Sequence, residues 1–131
     1  MRLLLDTHIA LWAITEDRSL SRQAHALIAD RNNEIFVSVA TLWEIAIKHA
    51  LKRRGRGAIR VSAVDARQDF HDAGYALLPV TPDHVCGLEA LPMHHSDPFD
   101  RLLVAQATTE PMQLLTHDAK LVHYGSFVRR V

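Results

Sequence analysis

Five carboxylates in this sequence stand where a fold can gather them: Asp6, Glu44, Asp97, Asp100 and Asp118. Asp6 closes the short apolar run RLLL, and Asp118 follows the run MQLLT by two residues. Glu44 lies in SVATLWEIAIK, just past IFVSV, while Asp97 and Asp100 share DPFDRLLVAQA. Like charges at close range repel, so such a cluster needs protons or cations to persist. Hard divalent cations such as Mg²⁺ or Mn²⁺ take carboxylate oxygens and keep several waters. Ions of that kind activate water and stabilise the charge that develops on a phosphate under attack. The chemistry implied is metal-assisted phosphodiester hydrolysis.

The elements around these acids can be read from pattern. Arg2 to Leu5 reads as a buried strand. Ser21 caps a helix carrying Ala24, Leu27 and Ile28, and Ile35 to Val39 is β-branched and aromatic, a second strand. The helix TLWEIAIKHAL follows, with Ile45, Ala46, Ala50 and Leu51 on one face, and another runs from about Ser62 to Ala73. ALLPV is a short strand. Thr81 and Asp97 each precede a proline, the cap-plus-Pro signature of a helix start, and Val85 and Leu88 are expected to face inward. MQLLT is a further strand, and Phe127 to Val128 an edge strand. Strands alternating with helices over 131 residues predict one α/β domain with a mostly parallel sheet. In such sheets ligands bind beyond the carboxyl ends of the strands. Asp6, Asp118 and the helix starts holding Glu44, Asp97 and Asp100 all fall at that edge.

Each acid also has a purely structural role open to it. Asp6 can be a turn residue or the cap of THIALW. Thr41-x-x-Glu44 spells a capping box, in which Glu44 reaches back to the cap. Asp97 suits a cap before Pro98, Asp100 complements a helix dipole, and Asp118 suits a turn. Convergence on one edge carries the functional reading.

The chain holds 15 basic and 15 acidic residues, and setting the five clustered acids aside leaves ten against the 15 bases. Lys48, Lys52, Arg53, Arg54, Arg56 and Arg60 occur with no acid among them, either as a solvated face or as a clamp on an RNA backbone. Cys86 is the only cysteine, so no intramolecular disulfide forms and a reducing compartment is expected; the residue reads as a small buried hydrophobe in its helix. Asp6 and His8 interrupt the apolar start, making it a poor signal peptide, and no apolar run approaches the ~20 residues of a membrane span. The expectation is a cytoplasmic protein with no membrane partner. Nine histidines raise two alternatives. His94, His95 and Asp97 hint at zinc, without the H-x-x-x-H or cysteine pair that would support it. His94 or His95 with His117 would suit a metal-free ribonuclease acting through the 2′-hydroxyl. Trp12 and Trp43 read as core or interface aromatics.

LLLDTHIALW, SVATLWEIAIK, HHSDPFDRLLVAQA and LLTHDAKL together resemble a PIN domain, and more narrowly the VapC-type toxins of bacterial toxin–antitoxin pairs. That resemblance implies a parallel five-stranded sheet between helices and metal-dependent endoribonuclease activity. It implies a Mg²⁺ or Mn²⁺ quartet of Asp6, Glu44, Asp100 and Asp118, with Asp97 an extra acid. Thr7, Ser38 and Thr116 lie beside the acids and are expected to hydrogen-bond a carboxylate or a metal water. In-line attack by an activated water would leave a 5′-phosphate and a 3′-hydroxyl. A cognate antitoxin and a homodimer are the implied protein partners. The ALKRRGRGAIRVSA stretch departs from the pattern, being longer and more basic than the turn expected there. The competing class is an inactive PIN-like module that only binds a partner protein.

Overall fold

The computed structural model describes residues 1–51 and 59–131. Five strands, β1 (Arg2–Leu5), β2 (Glu34–Ser38), β3 (Ala76–Leu78), β4 (Gln113–Thr116) and β5 (Val128–Arg130), form one sheet in the order β3-β2-β1-β4-β5. Every pairing is parallel. Among the described residues six α-helices connect them: α1 (Thr7–Thr15), α2 (Arg22–Ala29), α3 (Val39–Ala50), α4 (Ala63–Asp72), α5 (Pro82–Gly87) and α6 (Pro98–Thr109). No helix among the described residues is long and apolar enough to cross a membrane.

The unbroken apolar run of β1 follows from burial on both faces, the normal condition of a central parallel strand. Alternation sends Leu3 and Leu5 into a core shared with Ile9, Ile45 and Phe70 of α1, α3 and α4. Leu4 points the other way, into a core with Leu103, Val104 and Ala107 of α6. The chain lays β2 and β3 to one side of β1 and β4 and β5 to the other. The direction of winding therefore reverses between β1 and β4, and a crevice opens at the carboxyl ends of those two strands.

Local structure departs from the sequence reading in three places. Val39 is the first residue of α3, not the last of a strand, because Ser38 is the N-cap and its hydroxyl accepts from the Ala40 N–H. Thr41 is thus inside the helix, Glu44 belongs to its second turn, and no capping box joins them. The buried stripe of α3 is Ala40, Thr41, Glu44 and Ile45, whereas Ala46, Ala50 and Leu51 face outward. In α5 the inward residue is His84, which donates to Glu110 (2.7 Å) while its Nδ1 accepts from the Thr81 N–H. Val85 and Cys86 are exposed and Leu88 half-buried. That short helix is anchored by a polar contact its apolar spacing does not disclose.

Since Ser38 caps α3, Ser38→Ala should cost about 0.5–2 kcal/mol in urea denaturation. A loss confined to Thr41→Ala, with Ser38→Ala neutral, would place the cap at Thr41 instead.

Candidate metal centre

Asp6 leaves the end of β1 at the crevice, and its N–H still bonds the Leu115 carbonyl of β4. Its carboxylate is 4% exposed. One oxygen caps α1 by accepting from the Ile9 N–H (2.9 Å); the other accepts from the Thr116 hydroxyl (2.5 Å). Burial raises the Asp6 pKa above the usual carboxylate range, opposed by these two bonds and by His8. Asp118 sits past β4, beside Asp6, and caps a short 3-10 turn by accepting from the Lys120 N–H (2.9 Å). Burial alone would raise Asp118. The Lys120 N–H, the His95 side chain and the Lys120 charge outweigh it and hold the group below its ordinary value.

Asp100 enters from the first turn of α6. Its pKa is pushed up to about 7, first by burial and then by Asp97, Asp6 and Glu44, with His95 acting in the opposite sense. Asp6, Asp100 and Asp118 line one cleft of about 310 Å³ with His8, Trp12 and His117. Ligand atoms of His95, Asp100 and Asp118 lie within 4.8 Å of one another.

Glu44 and Asp97 are held differently. Glu44 is 4% exposed; it accepts from the Thr7 hydroxyl (2.7 Å) and pairs with Lys48 (2.5 Å). It lines an adjoining cleft of about 410 Å³ with Thr7, Lys48 and Arg60, and His8 and Trp12 border both clefts. Its charge still reaches Asp100. Asp97 turns one oxygen back onto the Phe99 and Asp100 N–H groups as the cap of α6. Of the flanking hydroxyls, Thr116 bonds Asp6 and Thr7 bonds Glu44, whereas the Ser38 hydroxyl is spent on its cap. Lys48 is committed to Glu44 and Arg60 is exposed; Lys52, Arg53, Arg54 and Arg56 lie outside the described residues.

Among the histidines, His95 is the one drawn onto the acids, 2.7 Å from Asp118 and 3.5 Å from Asp100. His94 packs on Tyr124 and His123. His117 donates to the Val131 carbonyl and stands edge-on to Trp12. The His94–His95–Asp97 group does not form, since Asp97 faces its own helix; His95 adjoins Asp100 and Asp118 instead. The H-x-D spacing in HHSDPFDR is the local signal for His95, but it points to Asp97 as the neighbour and not to Asp100 and Asp118.

The PIN domain family matches residues 3–126. The chain is a PIN domain. Similar folds occur in the VapBC2 complex from Rickettsia felis, bound to a DNA fragment from its promoter. There the TM-score is 0.68 at 15% identity, over 99% of this chain and 98% of that one. A toxin–antitoxin complex from Klebsiella pneumoniae gives a TM-score of 0.62 at 19% identity, over 98% of this chain and 99% of that one. At such identities the likeness is one of fold. No protein of curated function matches the sequence.

The donor set of this PIN domain fits a hard divalent cation: it offers carboxylate oxygens, and Asp100 near 7 marks a cluster short of positive charge. A carboxyl whose folded pKa lies above its unfolded value near 4 is stabilising at low pH. That contribution is lost as pH rises through about 7. In chelator, the melting-temperature advantage of Asp100→Asn over the parent should therefore be small at pH 5 and clearly positive at pH 8. An advantage that does not grow with pH would mean Asp100 is not the strained group.

Proposed function

We propose that this PIN domain is a metal-dependent endoribonuclease, the toxin of a toxin–antitoxin pair. The observation carrying the proposal is the meeting of Asp6, Asp100 and Asp118 in one cleft at the sheet's reversal point, with Asp100 raised to about 7. Asp6, Asp100 and Asp118 would hold Mg²⁺ or Mn²⁺, with Glu44 completing the set. The cation supplies Lewis-acid stabilisation of the phosphate and lowers the pKa of water toward neutrality. The protein's part is to hold oxygens still. Thr116 and the Ile9 N–H fix both oxygens of Asp6, and Thr7 fixes one oxygen of Glu44. Lys48 neutralises Glu44 until a cation competes for it. Arg60, which lines the adjoining Glu44 cleft, is assigned to the RNA backbone, as are Lys52, Arg53, Arg54 and Arg56 from the sequence pattern; such contacts weaken as salt rises.

The test is cleavage of total cellular RNA by the purified chain. Activity is expected with Mg²⁺ or Mn²⁺, none with EDTA, and a loss of orders of magnitude in Asp6→Asn and Glu44→Gln. Products should carry 5′-phosphates. Full activity in EDTA with 2′,3′-cyclic phosphate ends would transfer the reading to the histidines. Folded, metal-loaded protein that cuts no RNA would leave a protein-binding module.

Protein partners are part of the same proposal. The two similar folds come from toxin–antitoxin complexes, which supports a cognate antitoxin. Val39, Trp43, Ile47 and Leu51 repeat every four residues along the outer face of α3 and are 40, 59, 42 and 56% exposed. A stripe of this length suits self-pairing across a two-fold axis, and we assign it to a homodimer. Trp43→Glu should then sediment as a monomer where the parent sediments as a dimer; a parent monomeric at every concentration removes the second copy.

A further inference from the structure

We propose that His95 is a positioning residue of the metal centre, a single-tautomer hydrogen-bond donor that holds the Asp118 carboxylate beside Asp100. The inference rests on the reading that these acids hold a divalent cation, and it adds a residue to that site.

The tautomer follows from one contact. The Asp97 backbone N–H points at Nδ1 of His95 (3.0 Å), and a backbone N–H can only donate. Nδ1 therefore carries no proton, and the ring proton sits on Nε2. Nε2 lies 2.7 Å from Oδ2 of Asp118, so it donates there. With its proton on Nε2, the ring offers that side no lone pair for a metal. It serves the carboxylate that would bind one.

The residue is also held through its backbone. The His95 backbone N–H donates to the Tyr124 hydroxyl (3.2 Å), and the side chain is 12% exposed. Asp97, which locks Nδ1 through its N–H, uses its carboxylate to cap the Asp100 N–H. Tyr124, His95, Asp97 and Asp100 thus form one bonded unit spanning the loop before α6 and the turn after Asp118. Asp118 needs that support. Its side chain is 36% exposed, the Lys120 N–H holds only Oδ1, and among the described residues His95 alone bonds Oδ2. Hydrogen-bond partners that orient metal-binding groups typically change metal affinity about 10–100-fold when removed.

The experiment is direct Mn²⁺ titration by electron paramagnetic resonance, with no RNA present, on the full chain and two variants. His95→Ala should bind Mn²⁺ about 10–100-fold more weakly while melting in EDTA near the parent temperature. His95→Gln, whose amide N–H can reach Asp118, should recover most of that affinity. Should the alanine variant prove too unstable to titrate, His95→Asn replaces it, because its shorter amide can take the Asp97 N–H but cannot reach Asp118. Nitrogen-15 spectra of the metal-free parent should show His95 protonated on Nε2 alone. Parent-like affinity in the variant lacking the donor overturns the inference, as does a glutamine variant no better than it, or a ring protonated on Nδ1. A parent that binds no Mn²⁺ overturns the metal reading itself and takes the His95 role with it.

Discussion

Negative charge forced together at the carboxyl ends of β1 and β4 is the constraint on which the rest of the structure depends. Burial and mutual repulsion both favour the protonated form of a carboxyl group, and Asp100 at about 7 carries that cost most visibly. The fold tolerates it because Asp6, Glu44, Asp97 and Asp118 are anchored by bonds their neighbours supply. Asp6 joins β1 to β4 through Thr116, 110 residues away in the chain.

Four of the five acids stand at helix or turn starts. Asp6, Asp97 and Asp118 satisfy orphan N–H groups at helix or turn starts, and Asp100 occupies the first turn of α6. A helix N-terminus lowers the cost of a carboxylate while fixing its direction. Asp6 and Asp118 each cap with one oxygen and keep the second at the cleft, bonded to Thr116 and His95, whereas Asp97 faces its own helix. In Asp118 the division is explicit, with Oδ1 on Lys120 and Oδ2 on His95.

Glu44 is handled by a different device. It sits on the buried stripe of α3 with Lys48 one turn on, so its charge is balanced locally. Asp6, Asp100 and Asp118 have no lysine or arginine partner among the salt bridges of the described residues. His95 is the basic side chain that contacts Asp100 and Asp118, and His8 the one that acts on Asp6. The unbalanced charge of the site is thus concentrated in the cleft between β1 and β4, where an ion from solution can reach it.

By itself the sequence determined the parallel α/β architecture, because fully apolar strands alternating with capped helices admit few other solutions. It also determined which edge the acids occupy, since Asp6 and Asp118 follow strands by one and two residues. The cap-plus-proline pairs at Thr81 and Asp97 are local signals and were legible for that reason. Tertiary structure decided what local pattern cannot. The start of α3 is at Ser38 because that buried hydroxyl takes the Ala40 N–H, and packing buries Ala40, Thr41, Glu44 and Ile45 while Ala46, Ala50 and Leu51 face outward. His84 displaced Val85 as the inward residue of α5 because Glu110, on a distant turn, gives its ring a partner. His95 joined the acids, and His94 did not, because the Asp97 N–H holds the His95 ring at Nδ1 and the Tyr124 hydroxyl holds its backbone N–H, whereas the His94 ring packs on Tyr124 and His123. Such bonds link residues far apart in the chain, and their geometry exists only once the sheet has brought its strand ends together.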